Sequence, residues 1–139
     1  MDFIMRFWDV ADLNDLYLSA QESPRLRSHL LLHKSHDDKV QRLLIAMVKG
    51  SYVDAHYHDL SHQWEMFTVI HGDIQVSLYS DDGSVMKKLT VNASDPLPMI
   101  EFFPGDIHSV ECLSEKALLL EVKEGPFDEQ LPKIFPSFK

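Results

Sequence analysis

A single cysteine, Cys112, leaves no internal disulfide to hold the fold together. That usage fits a reducing compartment and leaves packing, or a metal, as the source of stability. Long apolar runs are missing too: the longest, Leu43 to Val48, falls far short of the roughly 20 residues that cross a bilayer. No membrane-spanning helix is expected. Positive charge is scarce, with 13 Lys and Arg against 22 Asp and Glu and a net charge of −9. Such a balance repels phosphate backbones and anionic lipid, so neither nucleic acid nor membrane is expected as a partner. The opening MDFIMRFWDVADLND lacks the basic start and apolar stretch of a secretory signal, and its acids argue against a transit peptide. A cytoplasmic address is therefore expected. No internal repeat is visible.

What is present is an ordinary globular composition. In 139 residues, 45% are apolar and 25% charged, enough for one hydrophobic core and too short for a second lobe. Residues 11–20, ADLNDLYLSA, carry Leu13, Leu16 and Leu18 among polar neighbours and stop before Pro24, which predicts one short helix. From about Arg25 the texture changes to short apolar or alternating runs between turn residues. Strands are expected over 26–32, 40–48, 52–56, 63–71, 74–80, 85–91, 99–103, 108–113 and 117–122. Ser80-Asp81-Asp82-Gly83 supplies the residues of a tight hairpin, so the strands around it should pair antiparallel. Many short strands and one helix predict an all-β sandwich or barrel. After Gly125 come Pro126, Pro132 and Pro136 with Phe127, Phe135 and Phe138, a tail expected to be irregular yet docked on this subunit or another.

Eight histidines are many for this length, and their placement carries more information than their number. In a strand, side chains two apart share a face, so His56 and His58 can offer two imidazoles to one ion. On the next strand Gln63, Glu65, Phe67 and Val69 share a face, where an inward carboxylate is uncomfortable unless it meets a cation. Later, Phe103-Pro104-Gly105-Asp106-Ile107-His108 makes a tight corner that opens a strand with a third imidazole. Three histidines and a carboxylate leave about two open positions on a six-coordinate ion. Iron(II) or zinc are the first expectations for one divalent ion, with manganese and nickel open.

Gly50, His56, His58, Glu65, Gly72, Gly105 and His108 resemble, in order, the pattern of the cupin superfamily. The gap from His58 to Glu65 is two or more residues longer than in that pattern, and Gln63 stands at the usual distance, so either could be the fourth ligand. A carboxylate binds divalent ions better than an amide, which favours Glu65. A narrower resemblance, over about residues 13 to 128, is to the WbuC-type cupin-fold metalloproteins. It is carried by Ser23-Pro24-Arg25-Leu26-Arg27, His33, Val40-Gln41-Arg42-Leu43-Leu44, Trp64-Glu65, Asp81-Asp82-Gly83 and Glu121-Val122-Lys123-Glu124-Gly125-Pro126-Phe127. Those are small bacterial proteins, some linked with O-antigen and surface polysaccharide gene clusters. The resemblance implies a single-domain cupin (a double-stranded β-helix or jelly-roll barrel) with a short N-terminal helix, one ion held by His56, His58, Glu65 and His108, and a homodimer. It implies no particular reaction. The expected organisation is an N-terminal arm over 1–24, a barrel over 25–124 and a tail over 125–139.

For the remaining candidates the structural role is weighed against the functional one. Gln63, Tyr52, Arg42 and Cys112 are the candidates to line a substrate pocket, Tyr52 with its hydroxyl and Cys112 as a buried residue that could face the metal. Arg25, Arg27 and Arg42 are expected to pair with acids, the alternative being an inward arginine that grips an anionic substrate. His62 is expected in a solvated loop, His71 at a surface turn, and His29, His33 and His36 on the polar surface of the arm. Two functions follow. One is a small metalloenzyme of oxygenase or isomerase type acting on a small polar or sugar-like substrate, possible in surface polysaccharide metabolism. The other is a non-catalytic small-molecule or sugar-binding module with a structural metal, whose coordination would be closed.

Overall fold

In the computed structural model, residues 5–94, 96–128, 130 and 133–138 are described. One helix, α1 (Val10–Glu22), precedes nine strands: β1 (Arg27–Leu31), β2 (Val40–Val48), β3 (Tyr52–His56), β4 (Glu65–His71), β5 (Asp73–Tyr79), β6 (Val85–Asn92), β7 (Met99–Phe102), β8 (Ile107–Cys112) and β9 (Lys116–Glu124). They form two antiparallel sheets, ordered β1-β2-β9-β4-β7 and β3-β8-β5-β6. The core lies between them, with Met47, Ile74, Val76, Val91, Phe102 and Leu119 among its buried side chains.

The longest apolar run of the chain falls in β2 because that strand is covered on both faces. Leu43, Ile45 and Met47 point to the space between the sheets. Leu44, Ala46 and Val48 point outward and meet Leu16, Tyr17 and Ala20 of α1. The helix starts where Asp9 and Asp12 each accept the other's backbone N–H at 3.0 Å, a reciprocal cap. It ends as Ser23 donates its N–H to the Ala20 carbonyl, just before Pro24. The observed helix is thus slightly longer at both ends than residues 11–20. None of the described helices is long and apolar enough to cross a membrane.

Two turns fix the path of the chain, one between the sheets and one within a sheet. Gly72, with φ +81°, bends the chain from β4 into β5, and a Cβ there would run into the Lys116 carbonyl. The hairpin expected at Ser80 to Gly83 is present: Gly83 has φ +90°, its N–H donates to Ser80, and β5 pairs antiparallel with β6. In the tail, Ile134 exchanges backbone hydrogen bonds with Tyr57, and the Phe138 ring lies 5.7 Å from that of Tyr79. Pro132 lies outside the described residues.

Candidate metal centre and cavity

A cavity of about 550 Å³ opens between the sheets. Its walls alternate by strand parity. Leu119, Glu121 and Lys123 of β9, Gln41 to Met47 at every second residue of β2, and Glu65 and Phe67 of β4 all contribute. His56, His58 and His108 enter from the facing sheet and its loops.

The four residues expected to hold an ion are brought to one end of this cavity. His56 and His108 are register partners across β3 and β8, with rings 4.5 Å apart. The His56 and His58 rings lie 5.7 Å apart. Glu65, the first residue of β4, places Oε1 at 3.2 Å from His58 Nε2 and 3.9 Å from His108 Nε2. Ligand atoms of His56, His58 and Glu65 all lie within 4.8 Å of one another, a grouping that could hold a metal ion. His108 stands beside that trio with its ring stacked on Phe102 at 3.6 Å. The Pro-Gly corner has a structural task here: Gly105, at φ +92°, donates its N–H to the His58 carbonyl at 2.6 Å and ties the two ligand segments together.

Hydrogen bonding selects the tautomers. His56 Nδ1 lies 2.8 Å from the Asp54 carbonyl and His108 Nδ1 2.8 Å from the Asp106 carbonyl. A carbonyl only accepts, so both Nδ1 atoms carry the proton and both Nε2 atoms present a lone pair. Glu65 Oε1 and His58 Nδ1 are buried without a hydrogen-bond partner. Two lone pairs beside a buried, unsatisfied carboxylate oxygen are a costly arrangement that a cation resolves. The residues present therefore fit a divalent ion.

The electrostatics agree with that donor set. Burial, reinforced by His108, pushes the His56 imidazole down to about 4, and burial also lowers His108, so both rings are neutral at pH 7. Beside Glu65 lies a second buried acid, Glu121. Burial and then repulsion from Glu65 push Glu121 well above the usual carboxylate range, which favours its neutral form. Burial raises Glu65 as well, but the nearby His58 ring and the Glu121 carboxyl outweigh it and hold that carboxylate below its ordinary range.

The structure does not bring the expected pocket residues to this cavity. Tyr52 is 46% exposed and lies on the outer face of its sheet, because a bulge between Val53 and His56 breaks the two-residue alternation. Val53 lines the cavity in its place. Arg42 is exposed, since the parity of β2 turns Gln41 and Leu43 inward. Cys112 faces the core, but four residues along β8 from His108, roughly 13 Å away at the rise of a strand. Its Sγ donates to the Ser114 carbonyl at 3.3 Å. Gln63 precedes β4, and its Oε1 accepts the Leu60 N–H at 3.0 Å. It lines a separate space of about 60 Å³ beside His58 and Glu65.

His71 is exposed at the end of β4, as expected, whereas His62 is half-buried in the small side cavity. His33 is buried rather than on the surface: its Nδ1 lies 3.1 Å from the Arg42 N–H, and its Nε2 has no partner. Arg25 and Arg27 line the main cavity, while Arg42 does not. Glu121, Lys123, Lys133 and Gln41 also line it without having been singled out for a role. In the sequence, alternation through LLLEVKE does place Leu119, Glu121 and Lys123 on one face, and this was the available signal.

A family model described as "Domain of unknown function (DUF6016)" matches residues 8–91, more than half of the chain. The chain belongs to that family. Among curated proteins, none matches this DUF6016 member. Among solved structures it is similar to the capsular polysaccharide assembling protein CapF from Staphylococcus aureus, with TM-score 0.66 and 20% identity over 78% of this chain and 30% of CapF. It is also similar to an oxalate oxidase in complex with glycolate, with TM-score 0.61 and 13% identity over 83% of this chain and 57% of that one. A third is a cupin superfamily protein from Desulfitobacterium hafniense, with TM-score 0.54 and 14% identity over 70% of this chain and 76% of the other. The DUF6016 chain thus spans under a third of CapF and just over half of the oxidase. At these identities the likeness shows the fold: a cupin-type, two-sheet β architecture with one short N-terminal helix.

Proposed function

We propose that this cupin holds one divalent ion through His56, His58, Glu65 and His108 and acts as a small metalloenzyme on a polar or sugar-like molecule. The observation that carries this reading is the donor set: two fixed imidazole lone pairs and an orphaned, buried carboxylate oxygen at the wall of an open cavity. A structural ion is usually enclosed by protein donors, whereas this cluster borders about 550 Å³ of accessible space. That openness favours an enzyme over a binding module with a structural metal. Iron(II) and zinc suit three imidazoles and a carboxylate, with manganese and nickel as alternatives.

When bound, the ion would supply Lewis-acid polarisation of a ligand oxygen, or dioxygen activation if it is iron. The chain's own residues prepare the site. The Asp54 and Asp106 carbonyls orient His56 and His108, and the carboxyl O–H of neutral Glu121 donates to Glu65 and so steadies its rotamer. Phe67, Val110 and Leu119 give the cavity dry walls, which strengthens every polar contact made inside. The WbuC-type likeness and the capsular polysaccharide link of CapF both support a substrate from surface carbohydrate metabolism.

Elemental analysis of protein purified with and without air tests the reading. About one ion per chain is expected, lost in Glu65→Ala and His56→Ala while the fold persists by circular dichroism. Oxygen uptake or product formation is then followed against sugars, nucleotide sugars and small acids. Full ion content in both variants overturns the site, and a loaded protein inert across the panel overturns the enzyme reading.

A further inference from the structure

This acidic chain concentrates cations at one place. Arg25, Arg27 and Lys133 line the main cavity, and the same three also line a neighbouring groove of about 480 Å³ that runs past Tyr52 and Phe135. They therefore stand where two spaces meet. Among the described residues none of the three has a carboxylate at ion-pair distance. Arg27 is held by a bond to the Tyr52 carbonyl at 3.3 Å, which offers no charge. Burial and then Arg27 lower Lys133, more than the carboxyl groups of Glu65 and Glu121 raise it; burial and then Arg25 lower Arg27, more than Asp54 raises it. Three half-buried or clustered cations that repel one another, in a protein of net charge −9, are an unfavourable arrangement that an anion relieves.

A polar side chain on the same wall adds to this. His33 Nδ1 lies 2.9 Å from the Arg42 carbonyl and 3.1 Å from the Arg42 N–H, so the backbone occupies it in either tautomer. Its Nε2 is buried without a partner in a residue that lines the cavity. Only a polar group arriving from the cavity side would satisfy it.

We infer that the junction of the two spaces is a binding site for an oxyanion, a carboxylate or phosphate group of the ligand, gripped by Arg25, Arg27 and Lys133. The uncharged polar part of that ligand extends inward to the His56–Glu65 end, and any further part lies in the outer groove. The orientation rests on the metal reading above; the anion site does not. Guanidinium groups match both oxyanions in paired hydrogen bonds, so charge alone leaves the two sources equal.

Calorimetric titrations of glucose 1-phosphate, glucuronate and glucose into metal-loaded and metal-free full-length protein separate these points. At least one charged probe is expected to bind about tenfold or more tighter than glucose, and more weakly as salt rises. The double variant Arg27→Gln with Lys133→Gln should lose that advantage while keeping its ion content and melting temperature. Which charged probe binds better assigns carboxylate or phosphate. Nitrogen-15 spectra of the histidines supply a second readout, with the His33 Nε2 signal expected to move on binding. Equal affinity for the three probes, failure of both charged ones to bind, or unchanged affinity in the double variant overturns the proposal. Anion binding by a protein that takes up no metal would instead overturn the metal reading alone.

Discussion

Glu65 and Glu121 share one wall of the cavity, and their surroundings favour charge on only one of them. Burial and the neighbouring carboxylate both oppose charge on Glu121. Its role is then that of a neutral donor, which an amide reproduces. Glu121→Gln is expected to retain ion affinity within a few fold, whereas Glu121→Ala, which leaves Glu65 without that donor, should lose about 10- to 100-fold. Competition with a chromophoric chelator measures both; equal loss in the two variants would mean that Glu121 acts as a charged ligand. Histidine burial has its own consequence in the metal-free protein. His56 titrates near 4 in the fold against 6.5 in the open chain, and His108 is lowered as well. Between those values the unfolded state binds more protons. Stability should be fully present above about pH 6.5 and fall as pH drops toward 4, on the order of 3 kcal/mol for His56. Urea midpoints across that range check it, and a flat profile would contradict it. His56, His58 and His108 were legible as a group from spacing alone. Glu121 was not, because two charges inside an alternating run look like the solvent face until the partner strands are known.

At the scale of elements, two positive-φ glycines, Gly105 beside the site and Gly72 at the far end of β4, differ in what surrounds them. Gly72 has the Lys116 carbonyl and Ala117 where a Cβ would go, while Gly105 has nothing within 4 Å. Gly72→Ala should therefore cost well over the 1–2 kcal/mol of a left-handed alanine, and Gly105→Ala only about that much. Denaturant unfolding distinguishes them; equal costs would show that the β4 to β5 bend is looser than described. All nine strands follow from runs and turn residues because each is bounded by a glycine, a proline or a polar cluster. The orientation of Tyr52 does not follow. A regular strand would put Tyr52, Asp54 and His56 on one face, and the bulge after Val53 is a property of pairing with β8. Parity failed at that single step, and with it the expectation of a tyrosine hydroxyl in the cavity.

The whole molecule has two apolar clusters with separate duties. One fills the space between the sheets and carries the site; the other joins α1 to the outer face of β2 and β9. Leu16→Ala in the second should destabilise the protein by about 2–4 kcal/mol with ion content per folded chain unchanged, as read by thermal melting and elemental analysis. A parallel loss of ion would show that the helix shapes the site. The double covering of β2 was written in its unbroken run from Leu43 to Val48, but that run does not say which face meets the helix. Net charge likewise described the surface and concealed the cations at the cavity, since a sum over the chain carries no positions.

The central claim is that three imidazoles and one carboxylate from three strands and their loops converge on one ion. Anomalous diffraction from crystals of the metal-loaded protein, collected across the iron, zinc, manganese and nickel edges, tests it most directly. One peak is expected about 2.0–2.2 Å from Nε2 of His56, His58 and His108 and from a Glu65 oxygen. A fully loaded crystal whose peak lies elsewhere, or which leaves these four side chains unliganded, would contradict it.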